Sequence, residues 1–366
     1  MLNFIGKIFW YTPLILLGYK TLPDLVTSLG TFYVKLAQIA TTRPDILSVA
    51  LIGRLAPLQD RVPPPVTGRV GGPHLIASGS IAEVYELPGG RVMKVKRIGI
   101  DSEIERGTAV LLCLFQWLPT RSRWVHNVGR LVNLVRVQLP QHLDFEQEVA
   151  NQIRMGQLLG GVPKIHSYTS DMIIMDKIEG VSLAASPVKE VAVSNLLNLV
   201  FDMLFVHRVY HGDLHEGNIL VGVDGKISLL DFAIVLEVSD FQIQHLTNFF
   251  LWCLSRNHCQ LCRSMAGFQS HKFESEMKSV FDTYEFTEMY QFLNRVIQVC
   301  LDNAVELEMS LLSPIMFMIQ AEGIAKKYSL SLSLVTVISR RLLQPRMHAA
   351  TLNDGRDPRM MAGTPE

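Results

Sequence analysis

The chain has 366 residues, of which 48% are hydrophobic and 19% are charged, and its 34 basic residues balance its 34 acidic residues. This composition is that of a well-packed globular protein, and the length allows one two-lobed domain with extensions or two domains. The zero net charge excludes a global field that would attract nucleic acid or an anionic membrane, so we expect partners to bind at local features.

The first 20 residues are apolar, with two lysines and no acidic residue. Their longest uncharged run, residues 8–19, contains Pro13 and is well short of the roughly 20 residues that a membrane-spanning helix needs. The segment also lacks the Arg and Ser content of a transit peptide and a small-residue cleavage site. Two alternatives stay open: a helix that lies in a membrane interface, and a helix that packs against the protein's own core.

Residues 24–60 repeat apolar side chains at helical spacing and predict two helices, with a break at Pro44. Lys35 and Gln38 lie one turn apart on one helix face, from which they can donate to a carboxylate or a phosphate. Taken alone, Lys35 would be interpreted as an ordinary exposed lysine. The consecutive prolines at residues 63–65 end this helical extension.

Three short strands follow and predict an antiparallel meander, at residues 74–78, 82–87 and 91–96. The turn formed by Ser78, Gly79 and Ser80 is a place where backbone N–H groups can face a phosphate, although similar turns occur in any hairpin. The third strand contains Lys94 between Met93 and Val95, which makes it the better candidate for a lysine in a cleft.

A helix predicted at residues 144–157 carries Glu148 beside an apolar face. An ion pair between Lys94 and Glu148 would position the lysine on the α- and β-phosphates of ATP. The alternative is that Glu148 is an ordinary solvated carboxylate.

Residues 173–175 predict a buried strand that continues into a linker between two lobes. Backbone groups of this stretch, at Met175 and Lys177, are candidates for hydrogen bonds to an adenine. Beyond the linker, residues 189–345 are mainly helical by pattern, and residues 346–366 have no periodicity and are expected to be disordered.

The most informative motif is residues 211–218, HGDLHEGN, followed by an apolar run that ends at Asp231. Kinase-like phosphoryl transfer requires one carboxylate to hold the acceptor group, and an amide and a carboxylate to hold Mg²⁺. Asp213, Asn218 and Asp231 provide these groups in the right order. The alternative is a polar hairpin that merely joins a helix to a strand.

Cysteine usage bears on the compartment and on metal binding. Five scattered cysteines are too few for a disulfide framework, which indicates a reducing compartment. Cys259 and Cys262 have the C-x-x-C spacing of zinc ligands, and Cys253 and His258 lie near them. The apolar run at residues 246–261 contains no Gly or Pro turn, however, and favours the alternative that Cys259 and Cys262 lie one helical turn apart on a buried face.

With these residues placed, the chain resembles the UbiB-type atypical kinases, also called the aarF-domain or ABC-one family, over about residues 29–329. The most specific match is the family's N-terminal signature, which ordinary protein kinases lack, at residues 35–38 (KLAQ), 42–45 (TRPD) and 58–63 (LQDRVP). Further matches are the nucleotide loop, the strand lysine, the helix glutamate and the catalytic loop, at residues 77–85, 92–95, 143–148 and 211–218.

The resemblance implies an α+β fold, a protein-kinase-like pair of lobes with an N-terminal helical extension that covers the active site. The expected units follow in chain order. Residues 1–23 are an apolar segment, which lies in a membrane interface under one of the two alternatives, and residues 24–69 are the helical extension. Residues 70–178 form the N-lobe, residues 179–345 form the C-lobe, and residues 346–366 are a disordered tail.

The family also implies a function. Its members bind ATP with Mg²⁺, associate with membranes and support ubiquinone or other prenyl-lipid metabolism, and many hydrolyse ATP with little or no protein phosphorylation. We therefore expect an ATP-binding atypical kinase or ATPase at a membrane, mitochondrial in a eukaryote and otherwise peripheral on the cytoplasmic membrane. Expected partners are prenyl-lipid intermediates, membrane lipids and a lipid-biosynthetic complex. The alternative is a catalytically weak pseudokinase that binds nucleotide and serves as a scaffold.

By the resemblance, Asp213, Lys94 and Lys35 are catalytic, and Asn218 and Asp231 bind the metal. The residues expected to contact the nucleotide are Gln38, Ser78, Gly79, Ser80, Lys94, Glu148, Met175 and Lys177.

Three positions depart from the family pattern: Ala37 replaces a glycine, Gly79 replaces an alanine, and Ala233 replaces the last glycine of the metal-binding motif. We expect Ala37 to be tolerated in a helix, Gly79 to change nucleotide preference, and Ala233 to make its segment less mobile because it removes the freedom of glycine to adopt positive φ.

Overall fold

The computed structural model describes residues 2–16, 18–41, 47, 49–58, 73–116, 139–265, 270–286, 288–303, 305, 309–329 and 331–343. Over these residues the chain is a mixed fold of helices and strands. A helical extension comes first, a lobe built on a five-stranded sheet follows, and a mainly helical lobe completes the chain. Two predictions lie outside the described residues: the proline run at 63–65 and the disordered tail at 346–366.

The N-terminal extension consists of helices α1 to α4, at Leu2–Leu16, Leu22–Leu29, Thr31–Thr41 and Val49–Leu55. The prediction of a single helix between residue 24 and the break at Pro44 is wrong, because Gly30 separates α2 from α3. Gly30 has a φ of 120°, which side-chain-bearing residues rarely adopt, and a Cβ there would lie 2.8 Å from Glu103 Oε1. Ala37 lies inside α3 and is buried against Leu55 and Leu58, as its helix propensity allows.

Helix α1 leaves large apolar side chains exposed. Phe9 is 83% and Trp10 is 69% exposed, and Leu16 is exposed on the same helix. Lys7 Nζ donates to the carbonyl oxygen of Ser28 and so fastens the helix to α2. Within the part of the chain that is described, no helix combines the length and the apolar character needed to cross a membrane.

The five-stranded antiparallel sheet has the order β1-β2-β3-β5-β4, with the strands at Leu75–Ser78, Ala82–Leu87, Arg91–Lys96, Ile165–Thr169 and Met172–Asp176 in chain order. The predicted meander forms its first three strands. In the register, Lys94 lies opposite Val84 of β2 and Ile173 of β5. Lys94 is therefore held by a strand on each side.

The sheet lobe also contains helix α5 at Ile100–Gln116 and helix α6 at Phe145–Leu158. Asp144 begins α6 as its N-cap, because its side chain accepts the backbone N–H of Gln147 at 2.9 Å. Phe145 and Val149 of α6 pack on Ile173 of the sheet. This packing turns the helix so that Glu148, between them, faces the lobe interior.

The second lobe contains short strands β6 to β10 and helices α7 to α13. The strands are Val181–Ser182, Val209–His211, Ile219–Val221, Ile227–Leu229 and Val235–Glu237, and the helices are Lys189–Phe201, Asp240–Leu254, His258–Ser264, His271–Thr283, Met289–Asp302, Met309–Tyr328 and Leu334–Leu343. Antiparallel pairs β7 with β10, and β8 with β6 and β9, hold the loops between them. A large apolar core fills this lobe. The loops that follow β7 and β9 carry Asp213 and Asp231 and face the sheet lobe.

Candidate active site

The candidate site is built on the turn that follows β7. His211 is fully buried, and its ring joins two segments: Nδ1 accepts the backbone N–H of Asp213, and Nε2 lies 3.1 Å from the carbonyl oxygen of Leu230. These partners assign the ring proton to Nε2. Burial lowers the pKa of His211, so the neutral ring prevails near neutral pH.

Asp213 and Asn218 are held together within this loop. Asn218 Nδ2 donates to the carbonyl oxygen of Asp213 at 3.0 Å, so Oδ1 is the amide atom able to bind a metal. The backbone N–H of Leu230 donates to the carbonyl oxygen of Asn218 at 2.9 Å. Asn218 therefore lies beside Leu230, the residue before Asp231, so the two predicted metal ligands are close to each other.

Asp231 has a left-handed backbone, with a φ of 59°, a conformation that Asp tolerates better than most residues. Its Oδ1 accepts the backbone N–H of Ala233 at 3.2 Å. Asn151 Nδ2, from α6, donates to the carbonyl oxygen of Phe232 at 2.9 Å. Because the positive φ falls on Asp231 and not on Ala233, alanine in place of the family glycine causes no backbone strain.

Lys94 lies between two carboxylates. Its Nζ is 2.6 Å from Glu148 Oε1 and 3.2 Å from Asp231 Oδ2. Burial by itself would lower the pKa of Lys94, but the charges of Asp231 and Glu148 outweigh it and raise the pKa. For Asp231, burial would raise the pKa, and the ammonium of Lys94 instead lowers it. Both groups are charged, and they form an ion pair across the two lobes.

Glu148 is 1% exposed, so the alternative of a solvated carboxylate is wrong. Burial raises the pKa of Glu148 to about 7, even with the Lys94 ammonium beside it. Its second oxygen, Oε2, is buried and has no hydrogen-bond partner within the described part of the chain. Buried carboxylate oxygens normally have a partner, so this atom marks a place where a further donor or a hydrated cation fits.

Lys35 enters the site from α3. Its Nζ donates to Asp213 Oδ2 at 3.2 Å, and 10% of the side chain is exposed. Burial would raise the pKa of Asp213, but the charge of Lys35, the largest opposing cause, lowers it well below its ordinary value. The interpretation of Lys35 as an exposed lysine is therefore wrong, and the extension contributes a cation to the loop that carries Asp213.

Gln38, on the same face of α3, joins the extension to the predicted nucleotide turn. Its Nε2 donates to the carbonyl oxygen of Leu58 at 2.8 Å, and its Oε1 accepts a hydrogen bond from Ser80 Oγ at 3.3 Å. Gly79 closes the turn by donating its backbone N–H to the carbonyl oxygen of Ala82 at 2.8 Å. The turn and α3 therefore form one connected unit.

Two further predicted nucleotide contacts lie in the sheet lobe. Ser78 Oγ accepts a hydrogen bond from Arg97 Nη2 at 2.6 Å. Met175 packs on the apolar cluster that contains Phe145 and Ile173. Met175 is therefore near Phe145, whose ring centroid lies 5.4 Å from Lys94 Nζ.

Lys177 is directed elsewhere. Its Nζ forms an ion pair with Glu86 at 2.7 Å, and its backbone N–H donates to the carbonyl oxygen of Gly90 at 2.9 Å. The structure does not bring Lys177 together with the cluster around Lys94, and its backbone donor is already used. The backbone N–H of Lys177 is therefore not available to donate a hydrogen bond to an adenine.

Sequence reasoning missed His142, which is 5% exposed within this cleft. Burial lowers its pKa to about 3, and the charges of Lys35 and Lys94 add to this, against those of Asp213 and Asp231. No local pattern pointed to His142, since these charged neighbours come from distant segments.

Sequence reasoning also missed the tether of the catalytic loop. Glu216 accepts hydrogen bonds from Lys327 Nζ, at 2.7 Å, and from the hydroxyl of Tyr328. Both residues end helix α12, more than a hundred positions further along the chain. The catalytic loop is thereby attached to α12 of the helical lobe.

The geometry can be compared with known proteins. A chloroplastic aarF domain-containing protein kinase of Arabidopsis thaliana is 27% identical over 264 residues, which are 64% of this chain and 37% of that protein. A probable protein kinase UbiB of Cellvibrio japonicus is 31% identical over 232 residues, 53% of this chain and 42% of that protein. The chain thus spans less than half the length of these two relatives.

Among solved structures, the complex of Rv3197 with erythromycin from Mycobacterium tuberculosis matches with a TM-score of 0.53. The match covers 74% of this chain and 76% of that one, at 18% identity. At this identity the likeness concerns the fold, and it agrees with the mixed two-lobed arrangement of this chain.

The model of the ABC1 atypical kinase-like domain matches residues 72–265. These residues include the sheet lobe, Lys94, Glu148 and the loops that carry Asp213 and Asp231. The fold class predicted from the sequence is confirmed, and the match covers more than half of the chain. This chain therefore belongs to the ABC1 atypical kinase-like family.

Proposed function

We propose that the chain is an ATP-binding atypical kinase or ATPase that acts with Mg²⁺. The observation that carries the proposal is the position of Lys94 between Glu148 and Asp231. In kinase-type phosphoryl transfer, a strand lysine held by a helix glutamate binds the phosphates of ATP. The sheet register fixes the position of Lys94. The cap at Asp144 independently fixes the start of the helix that carries Glu148.

Asp231 and Asn218 would hold Mg²⁺. Carboxylate and amide oxygens suit a hard cation, and the unpartnered Oε2 of Glu148 can accept a hydrogen bond from a water of its hydration shell. When bound, the metal neutralises charge on the β- and γ-phosphates. Lys94 can leave Asp231, its more distant partner, for a phosphate and still keep Glu148.

Asp213 is the candidate group for holding the hydroxyl or water that accepts the phosphoryl group. In the structure its carboxylate is engaged by Lys35. A helix that brings a lysine onto this carboxylate occupies space that a peptide acceptor would need. This arrangement favours ATP hydrolysis or transfer to a small acceptor over protein phosphorylation.

The same contact supports the second candidate function, a nucleotide-binding pseudokinase scaffold, since an acceptor carboxylate that stays paired with Lys35 cannot serve in transfer. The test is Mg²⁺-dependent ATP hydrolysis by the purified chain, with Asp213→Asn as the comparison. Turnover that is lost in Asp213→Asn supports the enzyme. Nucleotide binding without turnover above that of the variant supports the scaffold.

We further propose that the chain acts at a membrane on prenyl-lipid intermediates, or beside them in a lipid-biosynthetic complex. The resemblance to UbiB-type proteins supports this, as does helix α1, whose exposed Phe9 and Trp10 resemble the apolar face of an interfacial helix. Lys7 and Lys20 flank that face, and acidic residues are absent before Asp24.

Flotation with liposomes of mixed zwitterionic and anionic lipid tests the membrane proposal. The double variant Phe9→Ser, Trp10→Ser should bind the liposomes less and keep the wild-type melting temperature, because both side chains are already in water. Val223→Ser, which changes an exposed apolar residue of the helical lobe, is the matched control. Equal binding by all three proteins would contradict the proposal.

A further inference from the structure

A second cluster of chemically active side chains lies in the helical lobe, on α9 and α10. Cys259 Sγ is 3.4 Å from His258 Nε2 and 3.4 Å from Glu274 Oε1. One ligand atom from each of the three residues lies within 4.8 Å of the other two. All three side chains are half-buried. The cluster therefore combines an imidazole, a thiol and a carboxylate at a sheltered position.

The spacing matches that of tetrahedral metal ligands. Zinc binds sulfur at about 2.3 Å and nitrogen or carboxylate oxygen at about 2.0–2.2 Å, so two such ligands at a tetrahedral angle are about 3.5 Å apart. Both measured separations from Cys259 Sγ are 3.4 Å. The ligand atoms of His258 and Glu274 lie within 4.8 Å of each other, so these two side chains need only approach one another for a metal to bind all three.

The local backbone fixes this arrangement. Cys259 and Cys262 lie one turn apart on α9, as the sequence predicts, although Cys262 is buried and Cys259 is only half-buried. Arg256, which follows the end of α8, adopts a φ of 54° and separates α8 from α9. Arg256 is held by an ion pair with Glu285 at 3.0 Å. Asn257 then caps α9 by accepting the backbone N–H of Gln260 at 3.0 Å. The break turns Cys259 towards α10 and brings it to Glu274.

The ligand set differs from the one that the C-x-x-C spacing indicates. Cys253 and Cys262 are both fully buried, and the raised pKa of each thiol follows first from burial. Cys259, in contrast, donates its thiol proton to Glu274, and this hydrogen bond is the main cause of its raised pKa. A cation bound to the thiolate and the carboxylate would replace that proton.

We propose that His258, Cys259 and Glu274 bind a zinc ion that joins α9 to α10. A thiolate, a carboxylate and a neutral imidazole together carry two negative charges, which balance a divalent cation. The soft thiolate and the imidazole favour zinc over the hard ions Mg²⁺ and Ca²⁺. Three protein ligands leave one position of a tetrahedral ion open. These three residues are distinct from those of the candidate active site.

The test uses the purified full chain after treatment with a chelator. Zinc is titrated in the presence of excess Mg²⁺, and Co²⁺ is used as a spectroscopic probe. We expect one equivalent of zinc, retained against Mg²⁺, a thiolate-to-cobalt charge-transfer band, and a higher melting temperature with zinc. No binding at micromolar zinc, or full displacement by Mg²⁺, would overturn the proposal.

Variants identify the ligands. Glu274→Gln and Cys259→Ser should each weaken zinc binding at least about tenfold, and Cys259→Ser should abolish the charge-transfer band. Glu274→Gln keeps an acceptor for the thiol, so its metal-free melting temperature should stay near that of the wild type. Cys113→Ser, which removes a half-buried thiol from the other lobe, should bind as the wild type does. Unchanged affinity in both ligand variants would rule out this site.

Discussion

Two lysines enter the same cleft from different parts of the chain, and their surroundings differ. Lys94 lies on a central strand and contacts Glu148 and Asp231, whereas Lys35 lies on a helix of the extension and contacts Asp213. The strand lysine is fixed by hydrogen bonding on both sides, and it holds two lobes together. The helix lysine depends on how the extension docks. We infer that Lys94 is part of the nucleotide site itself, and that Lys35 modulates it.

Loss of the Lys94 ammonium should have the largest effect on folding. In Lys94→Met the buried carboxylate of Glu148 and the half-buried carboxylate of Asp231 lose their common cation. Removing one partner of a buried ion pair, here Lys94 with Glu148, costs about 3–5 kcal/mol. We expect this loss in the free energy of unfolding measured with urea, together with loss of ATP binding.

Lys96→Met is the matched control for that variant. Lys96 lies at a similar distance from the Phe145 ring, 5.3 Å, but its carboxylate partner, Asp171, is 69% exposed. A pair with an exposed member contributes about 1 kcal/mol or less. Equal destabilisation by Lys94→Met and Lys96→Met would show that the two carboxylates do not depend on Lys94.

The metal assignment of Asp231 predicts a loss of ligand-induced stabilisation. Wild-type protein should gain about 2.7 kcal/mol at a nucleotide concentration of 100 times Kd, and Asp231→Asn should lose the part of this gain that depends on Mg²⁺. Thermal shift with ATP, with and without Mg²⁺, measures the difference. Undiminished Mg²⁺-dependent stabilisation in Asp231→Asn would contradict the assignment.

The sequence allowed much of this cleft to be predicted because its motifs are local. Asp213 and Asn218 are close in the chain, and the cap at Asp144 sets the face on which Glu148 lies. Strand alternation marked Lys94 for the same reason. These features depend on short-range geometry, which a sequence pattern records.

Other features depend on contacts between distant segments, which no local pattern records. The charged neighbours of His142 come from both lobes and from the extension. Glu216 is held by residues at the end of α12, and Glu274 reaches Cys259 only because Arg256 breaks the helix before it. Lys177 was placed in the site by its position after a buried strand, yet an ion pair with Glu86 directs it away.

Removing the Lys35 side chain tests the modulating role. Lys35→Ala should either weaken ATP binding, by about 1.5–3 kcal/mol for a charge-assisted contact, or free Asp213 for autophosphorylation. Calorimetric ATP titration and incorporation of labelled phosphate report the two effects. Lys20→Ala, which changes an exposed lysine between α1 and α2, should change neither. If ATP affinity and autophosphorylation in Lys35→Ala both equal the wild-type values, Lys35 behaves as an ordinary surface lysine and does not modulate the site.

The last expected effect concerns pH, and it tests whether His142 is held neutral beside the two lysines. Burial first, and then the charge of Lys35, lowers the pKa of His142 to about 3, whereas an unfolded chain has a histidine pKa of about 6.5. Between these values the unfolded state binds more protons, so this histidine lowers stability as pH falls below 6.5. From pH 7 to pH 5 its contribution should cost about 2 kcal/mol.

A glutamine at this position cannot titrate, so His142→Gln should lose about 2 kcal/mol less than the wild type between pH 7 and pH 5 in urea denaturation. His271→Gln, which changes an exposed histidine at the start of α10, should follow the wild-type pH dependence. If His142→Gln and the wild type lose stability in parallel, His142 is not held neutral in this cleft, and neither burial nor the charge of Lys35 controls its protonation.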